Sequence, residues 1–353
     1  MRPRLPTRDD VAERLQRMDA SGWYANLGPQ EVELRQRFAA FVGADERQVA
    51  TASSATLALQ GAVTLSPAQR WVVPSFTFPA TPAAVLQAGA HLRFADICAA
   101  DWWLDPAAWR GTDPTTGVVP VAPFGAPLDL GRWDPAREVV IDAAASLGAD
   151  VAALGELPPT WAVVFSLHAT KCLPAGEGGL VVFGDPDRAE RFRMWSNFGF
   201  SEVRDAQMLP SNAKLAEVAA VYAHASLDTW DQSRAEWQAA RSRTDELERV
   251  HGLTGQPGPR AGVNPYWIVT FRDGHAADHC AATLARHGID TRRWWSYGCH
   301  GMPAFADQPA DPLPVTGAVA AATLGLPMFR DLGEAEAQQV SVALDEARRS
   351  GGI

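Results

Sequence analysis

Residues 165–179 read Phe-Ser-Leu-His-Ala-Thr-Lys-Cys-Leu-Pro-Ala-Gly-Glu-Gly-Gly and lie between two short apolar segments. The segments 161–165 and 180–183 are rich in β-branched and aromatic residues, which is typical of buried strands. Lys171 is therefore predicted in a loop that joins two strands. A desolvated ammonium group has a lowered pKa and can become the neutral amine that attacks a carbonyl group. The alternative is an ordinary surface lysine, so the choice depends on the rest of the chain.

The size and the charge of the chain narrow the possible functions. At 353 residues it is long enough for two domains, and 47% hydrophobic with 20% charged residues is the composition of an ordinary globular protein. The net charge of −10 provides no basic face for a nucleic-acid backbone. We therefore expect no nucleic-acid partner, and any phosphate must be held by local groups.

The cysteines and the apolar segments indicate where the protein works. Cys98, Cys172, Cys280 and Cys299 show no CxxC spacing, which argues against a zinc site and against a disulfide framework. No apolar run follows the first residues, and no apolar stretch approaches the roughly 20 residues that a membrane span needs. The expectation is a protein of the reducing cytoplasm with no signal peptide, no membrane segment and no bound metal.

Short apolar strands alternate with helical patterns through the first two thirds of the chain. This alternation predicts an α/β fold with a parallel or mixed sheet covered by helices on both faces. A glycine- and proline-rich break at 252–262 predicts a large domain over 1–250 and a smaller α+β domain over 251–353. The predicted strands are 71–73, 92–96, 117–122 and 138–142; the predicted helices include 79–89, 102–109 and one long helix over 213–250.

Two further features accompany Lys171. Ser53 and Ser54 run directly into an apolar helix, and exposed backbone N–H groups at such a helix start can hold a phosphate; the alternative is an ordinary serine N-cap. Asp142 follows a buried strand at its carboxyl end, where ligands of such sheets gather. A phosphate cradle, a carboxylate for a pyridine nitrogen and an amine for a Schiff base are the three contacts that pyridoxal phosphate requires.

The chain resembles the sugar aminotransferase family of fold type I, the DegT/StrS type, over nearly its whole length. Four motifs carry the resemblance in order: Pro-Ser-Phe-Thr-Phe-Pro-Ala at 74–80, Val-Ile-Asp-Ala-Ala at 140–144, the stretch 165–179, and Asn-Ala-Lys-Leu-Ala-Glu at 212–217. The resemblance implies a pyridoxal 5'-phosphate enzyme of α/β fold. Its large cofactor-binding domain would have a mixed, mostly parallel sheet sandwiched by helices, and its C-terminal domain would be smaller and α+β.

The resemblance also implies a role for each matching residue. It makes Lys171 the Schiff-base lysine and the general acid and base, and Asp142 the partner of the pyridine nitrogen. Phe78 would stack on the ring, and Ser166 would contact the phosphate together with the backbone of Ser53 and Ser54. Asn212 would reach the phosphate from the other subunit, which implies a homodimer with shared active sites.

The implied reaction moves an amino group from an amino acid, with L-glutamate as the expected donor, to a keto-sugar carried on a nucleotide. Residues 21–29 and 292–303 are most similar to enzymes of deoxysugar antibiotic pathways that aminate dTDP-4-keto-6-deoxyglucose at carbon 4. The candidate substrate contacts are Tyr24, Lys214, Arg292, Arg293 and His300.

Three positions depart from the family pattern. Ser53-Ser54 stands where Gly-Thr is common, Ile141 stands where an acidic residue often precedes the aspartate, and Ala145 replaces a glutamine that supports the cofactor hydroxyl. These changes leave open another keto substrate, another pyridoxal phosphate reaction, or a catalytically silent partner subunit. A dehydratase of the same family would carry histidine at the position of Lys171.

Overall fold

The computed structural model describes residues 2–149, 154–295 and 297–351. Within these residues the strands are β1 Val49–Ala52, β2 Arg70–Pro74, β3 His91–Ala95, β4 Gly117–Val118, β5 Val139–Asp142, β6 Trp161–Ser166, β7 Gly179–Phe183, β8 Thr254–Gly255, β9 Trp267–Thr270 and β10 Thr323–Leu326. The α-helices are α1 Arg8–Ser21, α2 Pro29–Val42, α3 Ala55–Thr64, α4 Ala80–Gln87, α5 Ala107–Arg110, α6 Pro186–Ser196, α7 Glu217–Asp228, α8 Trp230–His251, α9 Gly274–Arg286, α10 Pro314–Ala322 and α11 Glu334–Arg349.

Seven strands form the large sheet in the order β1-β7-β6-β5-β4-β2-β3. The strands from β6 to β3 pair in parallel, whereas β7 is antiparallel to both β6 and β1. The predicted α/β fold with a mostly parallel sheet is confirmed.

Both faces of this sheet are buried, as the continuous apolar strands require. Val139 and Ile141 of β5 pack in the core on one face, and Val140 between them packs in the core on the other. The same alternation separates Val163 from Val164 in β6. Helices cover both faces, so polar side chains of the sheet are accessible mainly at the ends of its strands.

The register of the central strands brings the ends of β5 and β6 together. Asp142 is opposite Val164, two residues before β6 ends at Ser166. Because β7 returns antiparallel to β6, the connecting loop 167–178 begins at the carboxyl end of β6. This is the same end of the central strands at which Asp142 lies. Lys171 lies in this loop, as the sequence predicts.

A second sheet, in the order β10-β9-β8, is fully antiparallel and lies in the C-terminal part of the chain. Its core contains Trp267 and Leu324 together with Trp237 and Leu247 from α8. Helix α8 thus packs on the C-terminal sheet. The boundary between domains 1–250 and 251–353 stays a prediction.

Two predicted helices are wrong in extent. The helix expected over 102–109 is only the short α5, because the proline at 106 disfavours a helical residue before it and Asp105 caps the turn by accepting the N–H of Ala107. The long helix expected over 213–250 is divided into α7 and α8 at Thr229. The Thr229 hydroxyl donates to the Ala225 carbonyl, a local hydrogen bond that competes with regular helix geometry.

The predicted strand 117–122 is also shorter, since only β4 is regular. Pro120 has no N–H to donate and interrupts the ladder, although its carbonyl accepts the N–H of Asp142. Beyond it, Val121 pairs with Asp142 in a single bridge.

Two features are absent from the described residues. No helix among them combines the length and the apolar character needed to cross a membrane. In the same ranges, no cluster of three or more histidine, cysteine, aspartate or glutamate residues has a geometry suited to a metal ion.

Candidate active site

The loop that carries Lys171 is fixed by its own backbone. The N–H groups of Leu167 and Ala169 donate to the carbonyls of Gly178 and Gly176, both at 2.9 Å. Gly176 has φ +88°, a left-handed conformation that favours glycine. The half-buried Lys171 is therefore presented from a defined turn.

The Lys171 side chain points into a cavity of about 450 Å³. We call it the Lys171 cavity; its lining includes Ser54, Phe78, Asp142, Ser166, Lys171 and Tyr266. The cavity has the size of a small-molecule site and combines apolar walls with a few converging polar groups. Of the sequence-predicted cofactor contacts, the structure thus brings five together: Ser54, Phe78, Asp142, Ser166 and Lys171.

Asp142 lies at the bottom of the site and is 5% exposed. Its carboxylate accepts the Thr81 hydroxyl at 2.7 Å and the Ala144 N–H at 3.1 Å. Burial raises the pKa of Asp142, while these two hydrogen bonds and the positive charge of Lys171 act in the opposite direction. A further positive group beside this carboxylate would favour its charged form.

Thr81 is a functional residue that the sequence analysis missed. It is completely buried in α4, and its hydroxyl lies 2.8 Å from the Thr77 hydroxyl as well as 2.7 Å from Asp142. Nothing in the local sequence distinguishes it from a threonine on the buried face of a helix, because its partner lies 61 residues further along the chain.

The start of α3 provides the candidate phosphate cradle. Ser54 is the N-cap, and its Oγ accepts the N–H of Leu57 at 3.2 Å. Ser54 and Thr56 line the cavity, and Ser166 at the end of β6 faces the same space. The ordinary N-cap and the phosphate cradle are therefore compatible, because the helix start opens into the cavity.

Ser53 is placed differently from the prediction. Its N–H donates to the Ala213 carbonyl at 2.7 Å, and Ser53 is not among the described residues that line the cavity. Its backbone donor is thus engaged within the chain, and the predicted phosphate contact of Ser53 stays a prediction.

The aromatic side chains of the cavity form two groups. Phe78 is 55% exposed and stands at the opening. Opposite Lys171, Phe124 stacks on Trp295 with ring centroids 4.3 Å apart and an interplanar angle of 14°. Tyr266 and Trp294 complete this wall, with rings perpendicular to each other and centroids 5.4 Å apart.

Tyr266 is the second residue that the sequence analysis missed as a site residue. Lys171 Nζ donates to Tyr266 Oη at 2.8 Å and lies 5.1 Å from the centroid of the ring. Tyr266 immediately precedes β9 in the C-terminal sheet, 95 residues from Lys171. No local pattern links the two positions.

Asn212 and Lys214 lie outside the Lys171 cavity of their own chain, as far as the described residues define it. Lys214 Nζ donates to Asn212 Oδ1 at 2.6 Å and lies 4.4 Å from the centroid of the Phe198 ring. Burial lowers the pKa of Lys214. The pair forms a small surface feature on the segment before α7.

The predicted substrate contacts are divided by the structure. Arg292 lines the cavity and its guanidinium lies 5.1 Å from the ring centroid of Trp294. Arg293 instead donates to the carbonyls of Gly274 and Thr323 and pairs with Asp278. The guanidinium of Arg293 is thus engaged with α9 and β10, and its predicted contact with the substrate stays a prediction.

Tyr24 and His300 are the other two candidates, and neither lines the cavity within the described ranges. Tyr24 is exposed, and its carbonyl accepts the N–H of Glu217 at 3.1 Å. His300 Nδ1 lies 2.7 Å from the hydroxyl of Ser75. Ala145, the departure from the family pattern, is buried and places only a methyl group at the cavity wall.

Comparisons with known proteins identify the family of this chain. The sequence profile of the DegT/DnrJ/EryC1/StrS aminotransferase family matches residues 7–345. The chain is 30% identical over 349 residues to the dTDP-3-amino-3,4,6-trideoxy-alpha-D-glucose transaminase of Streptomyces venezuelae, covering 92% of this chain and 89% of that protein. It is 27% identical over 362 residues to the GDP-perosamine synthase of Caulobacter vibrioides, with 94% and 93% covered.

The fold agrees with solved structures over its whole length. The crystal structure of DesI in the presence of its TDP-sugar product is 33% identical and superimposes with a TM-score of 0.85, covering 99% of this chain and 92% of that one. The agreement therefore extends over the ranges of both sheets.

Proposed function

Since the chain belongs to the DegT/DnrJ/EryC1/StrS aminotransferase family, whose members use pyridoxal phosphate, we propose that it transfers an amino group from an amino acid to a nucleotide-linked keto-sugar, with Lys171 as the reacting amine. The observation that carries the proposal is the meeting of Lys171, Asp142 and the start of α3 in one cavity. Each of these groups supplies one of the contacts that the cofactor needs.

The residues of the cavity fit the cofactor. The buried carboxylate of Asp142 is destabilised by burial and would be favoured by a protonated pyridine nitrogen. The first turn of α3 carries a partial positive charge and free N–H groups for a phosphate, with the hydroxyl groups of Ser54 and Ser166 nearby. When bound, pyridoxal phosphate supplies a ring that accepts electrons from the substrate carbon.

Phe78 has the exposure and the position for stacking on that ring. Its side chain stands at the opening of the cavity, where an aromatic face is available to a ligand. The Thr81 hydroxyl and the Ala144 N–H, which donate to different oxygens of Asp142, would fix the orientation of this carboxylate.

The proton transfers fall to Lys171. In the first half of the reaction its freed Nζ would move a proton from the α-carbon of the amino donor to the cofactor carbon that bears nitrogen. In the second half it would move a proton from that cofactor carbon to the sugar carbon that receives nitrogen. One amine can serve both halves because in each half it accepts one proton and donates it again.

For the substrates we propose L-glutamate as donor and dTDP-4-keto-6-deoxyglucose, aminated at carbon 4, as acceptor. Support comes from residues 21–29 and 292–303 and from the likeness to DesI, whose crystal structure was determined with a TDP-sugar product. Relatives of similar identity bear the names of different sugars, so the acceptor is the part of the proposal that most needs an experiment. Arg292 is the cavity residue best suited to neutralise a diphosphate.

We further propose a cytoplasmic homodimer that serves a deoxysugar pathway of antibiotic type. The exposed position of Asn212, outside the cavity of its own chain, supports its role as a phosphate contact in a second copy. The segment 212–214 would then contribute to the neighbouring active site, with Lys214 beside it.

The composition of the chain allows a direct test, because its only lysines are Lys171 and Lys214. The purified protein is mixed with pyridoxal phosphate, reduced with borohydride and mapped by mass spectrometry. We expect the cofactor on Lys171, and Lys171→Ala removes it while Lys214→Arg keeps it. A cofactor attached only to Lys214, or to neither lysine, would sink the proposal.

A second step separates an aminotransferase from other enzymes that use the same cofactor. Addition of glutamate should convert the yellow lysine-bound cofactor to its aminated form, seen by absorbance, and should release 2-oxoglutarate. A cofactor bound to Lys171 that neither glutamate nor any other amino acid converts would contradict the aminotransferase assignment while leaving the role of the lysine intact.

A further inference from the structure

The contact between Lys171 and Tyr266 joins the two sheets of the molecule. Lys171 lies in the loop between β6 and β7 of the large sheet, and Tyr266 precedes β9 of the C-terminal sheet. The Nζ–Oη distance of 2.8 Å is that of a good hydrogen bond. The amine also lies 5.1 Å from the ring centroid, within the range of a cation–π interaction.

Tyr266 is held rigidly from three directions. Its ring meets Phe124 and Trp294 edge to face, at centroid distances of 5.7 and 5.4 Å. Its backbone N–H donates to Asn264 Oδ1 at 3.1 Å. The hydroxyl group therefore has a fixed place, and Lys171 is the mobile member of the pair.

The aromatic wall behind Tyr266 has an unusual backbone. Phe124 and Trp295 both have positive φ, 49° and 52°, which is unfavourable for bulky residues. Their rings nevertheless stack face to face, so packing holds both residues in this conformation. Strained residues of this kind cluster at functional sites, where the surroundings fix them for a purpose.

Few other groups compete for the amine. Among the residues that the structure describes, Tyr266 Oη is the hydrogen-bond partner of Lys171 Nζ. Asp142 influences Lys171 through its charge without pairing with it, and Glu177 at the cavity wall lies 3.7 Å from His168 Nε2. Because the lysine side chain is flexible, its hydrogen bond to Tyr266 determines where the amine lies.

We propose that Tyr266 is a positioning residue for Lys171, which holds the amine in place whenever it is not attached to the cofactor. The inference rests on the proposed function of Lys171. In both half-reactions the freed lysine must return to the same carbon atoms, and an amine that is free to rotate would leave them. The hydroxyl group of Tyr266 accepts a hydrogen bond from the amine without removing a proton from it. The number of protons transferred in the reaction is therefore unchanged.

The same contact explains why the aromatic wall is so well fixed. Tyr266 can direct the amine only if its own ring stays in place, and Phe124 and Trp294 hold that ring by its edges. Because Tyr266 directly precedes β9 of the C-terminal sheet, a movement of that sheet relative to the large one would withdraw the hydroxyl from Lys171.

The test uses Tyr266→Phe, which removes one oxygen and keeps the ring contacts. Tyr222→Phe in α7 is the matched control, because Tyr222 packs away from the cavity. Cofactor-free protein is mixed with pyridoxal phosphate, and covalent capture by Lys171 is followed by absorbance. We expect capture to slow about tenfold in Tyr266→Phe and to stay within twofold of wild type in Tyr222→Phe.

A spectroscopic measurement excludes a purely structural effect. In cofactor-free protein with isotope-labelled lysine, the two lysine side chains give separate NMR signals, and Lys214→Arg identifies the signal of Lys171. We expect the Lys171 signal to move in Tyr266→Phe while the Lys214 signal stays. In single-turnover experiments with glutamate, the maximal rate of the variant should be about tenfold lower than that of wild type. The glutamate concentration that gives half of the maximal rate should stay within twofold.

The outcomes separate the two proposals. If wild type captures the cofactor at Lys171 and Tyr266→Phe does so at the same rate with an unmoved Lys171 signal, the positioning role is wrong and the proposed function stands. If wild type captures no cofactor at Lys171, the proposed function is wrong and the role of Tyr266 is lost with it.

Discussion

The two lysines of this chain lie in contrasting surroundings. Lys171 extends into the cavity from the loop after β6, at the carboxyl end of the central strands, and contacts Tyr266. Lys214 lies outside the cavity, in contact with Asn212 and Phe198. Burial lowers the pKa of Lys214, although it is not the amine beside Asp142. Desolvation alone therefore does not identify a reacting lysine, and the groups gathered around the amine do.

The strongest test of this contrast exchanges each lysine for arginine. Lys171→Arg keeps the charge but removes the nucleophilic amine, so we expect transamination to fall by roughly a thousandfold or more. Lys214→Arg should retain covalent capture of pyridoxal phosphate on Lys171. Both effects are read from the rate of 2-oxoglutarate formation and from borohydride trapping. Equal loss of capture in the two variants would contradict the distinction between the lysines.

Asp142 is the group that most clearly separates the two surroundings. Asp142→Asn keeps the shape but removes the charge opposite the pyridine nitrogen, and we expect a loss of about a hundredfold in turnover. Its effect is measured by single-turnover kinetics with glutamate. Turnover within twofold of wild type would show that another group stabilises the ring nitrogen.

The pH dependence of stability offers a second test of Asp142. Its pKa is raised by burial in the folded state, so the folded protein binds this proton more tightly than the unfolded chain. The resulting stability is fully present below the unfolded pKa of 3.8 and is lost as the pH rises through the raised value. In cofactor-free protein, the unfolding temperature of Asp142→Asn minus that of wild type should therefore increase as the pH rises from 3.5. A difference independent of pH would show that Asp142 is not destabilised by burial.

Gly176 in the Lys171 loop and Gly179 at the start of β7 form a matched pair of smaller effect. A Cβ at Gly179 would lie 2.5 Å from the carbonyl oxygen of Ser54, so alanine there must displace the start of α3. A Cβ at Gly176 would meet nothing within 4 Å, and alanine there carries only the strain of a positive φ, about 1–2 kcal/mol.

We expect Gly179→Ala to destabilise the protein by about 1–3 kcal/mol and to weaken pyridoxal phosphate binding at least tenfold. Gly176→Ala should reduce stability with little change in cofactor affinity. Denaturant unfolding and equilibrium titration with the cofactor measure the two properties. Similar affinity losses in both variants would mean that the start of α3 is not the phosphate site.

The sequence predicted those features that depend on neighbouring residues. The loop between β6 and β7 and the placement of Asp142 at the end of β5 follow from short apolar runs that end in polar residues. The α/β fold follows from the repetition of such units. These features depend on hydrophobic pattern and turn chemistry, which a single sequence displays directly.

The features that were missed depend on contacts between distant residues. Tyr266 and Thr81 lie 95 and 61 residues from the groups they contact, and each has the local pattern of an ordinary packing residue. The N–H of Ser53 donates to the carbonyl of Ala213, and the guanidinium of Arg293 donates to the carbonyl of Thr323 in β10. A sequence shows which side chains could bind a ligand, but the fold determines which of them are already engaged.

The smallest expected effect concerns Lys214 and completes the comparison. Because burial lowers its pKa, the folded protein binds this proton less tightly than the unfolded chain. The stability from this group is fully present above the unfolded pKa of 10.5 and is lost as the pH falls through the lowered value. Lys214→Met removes this partly desolvated charge. The free energy of unfolding of the variant minus that of wild type should therefore be largest near neutral pH and should decline as the pH approaches 10. Urea unfolding at a series of pH values measures this difference. A constant difference would show that Lys214 is solvated in the folded protein, and the two lysines would then differ only in their distance from Asp142.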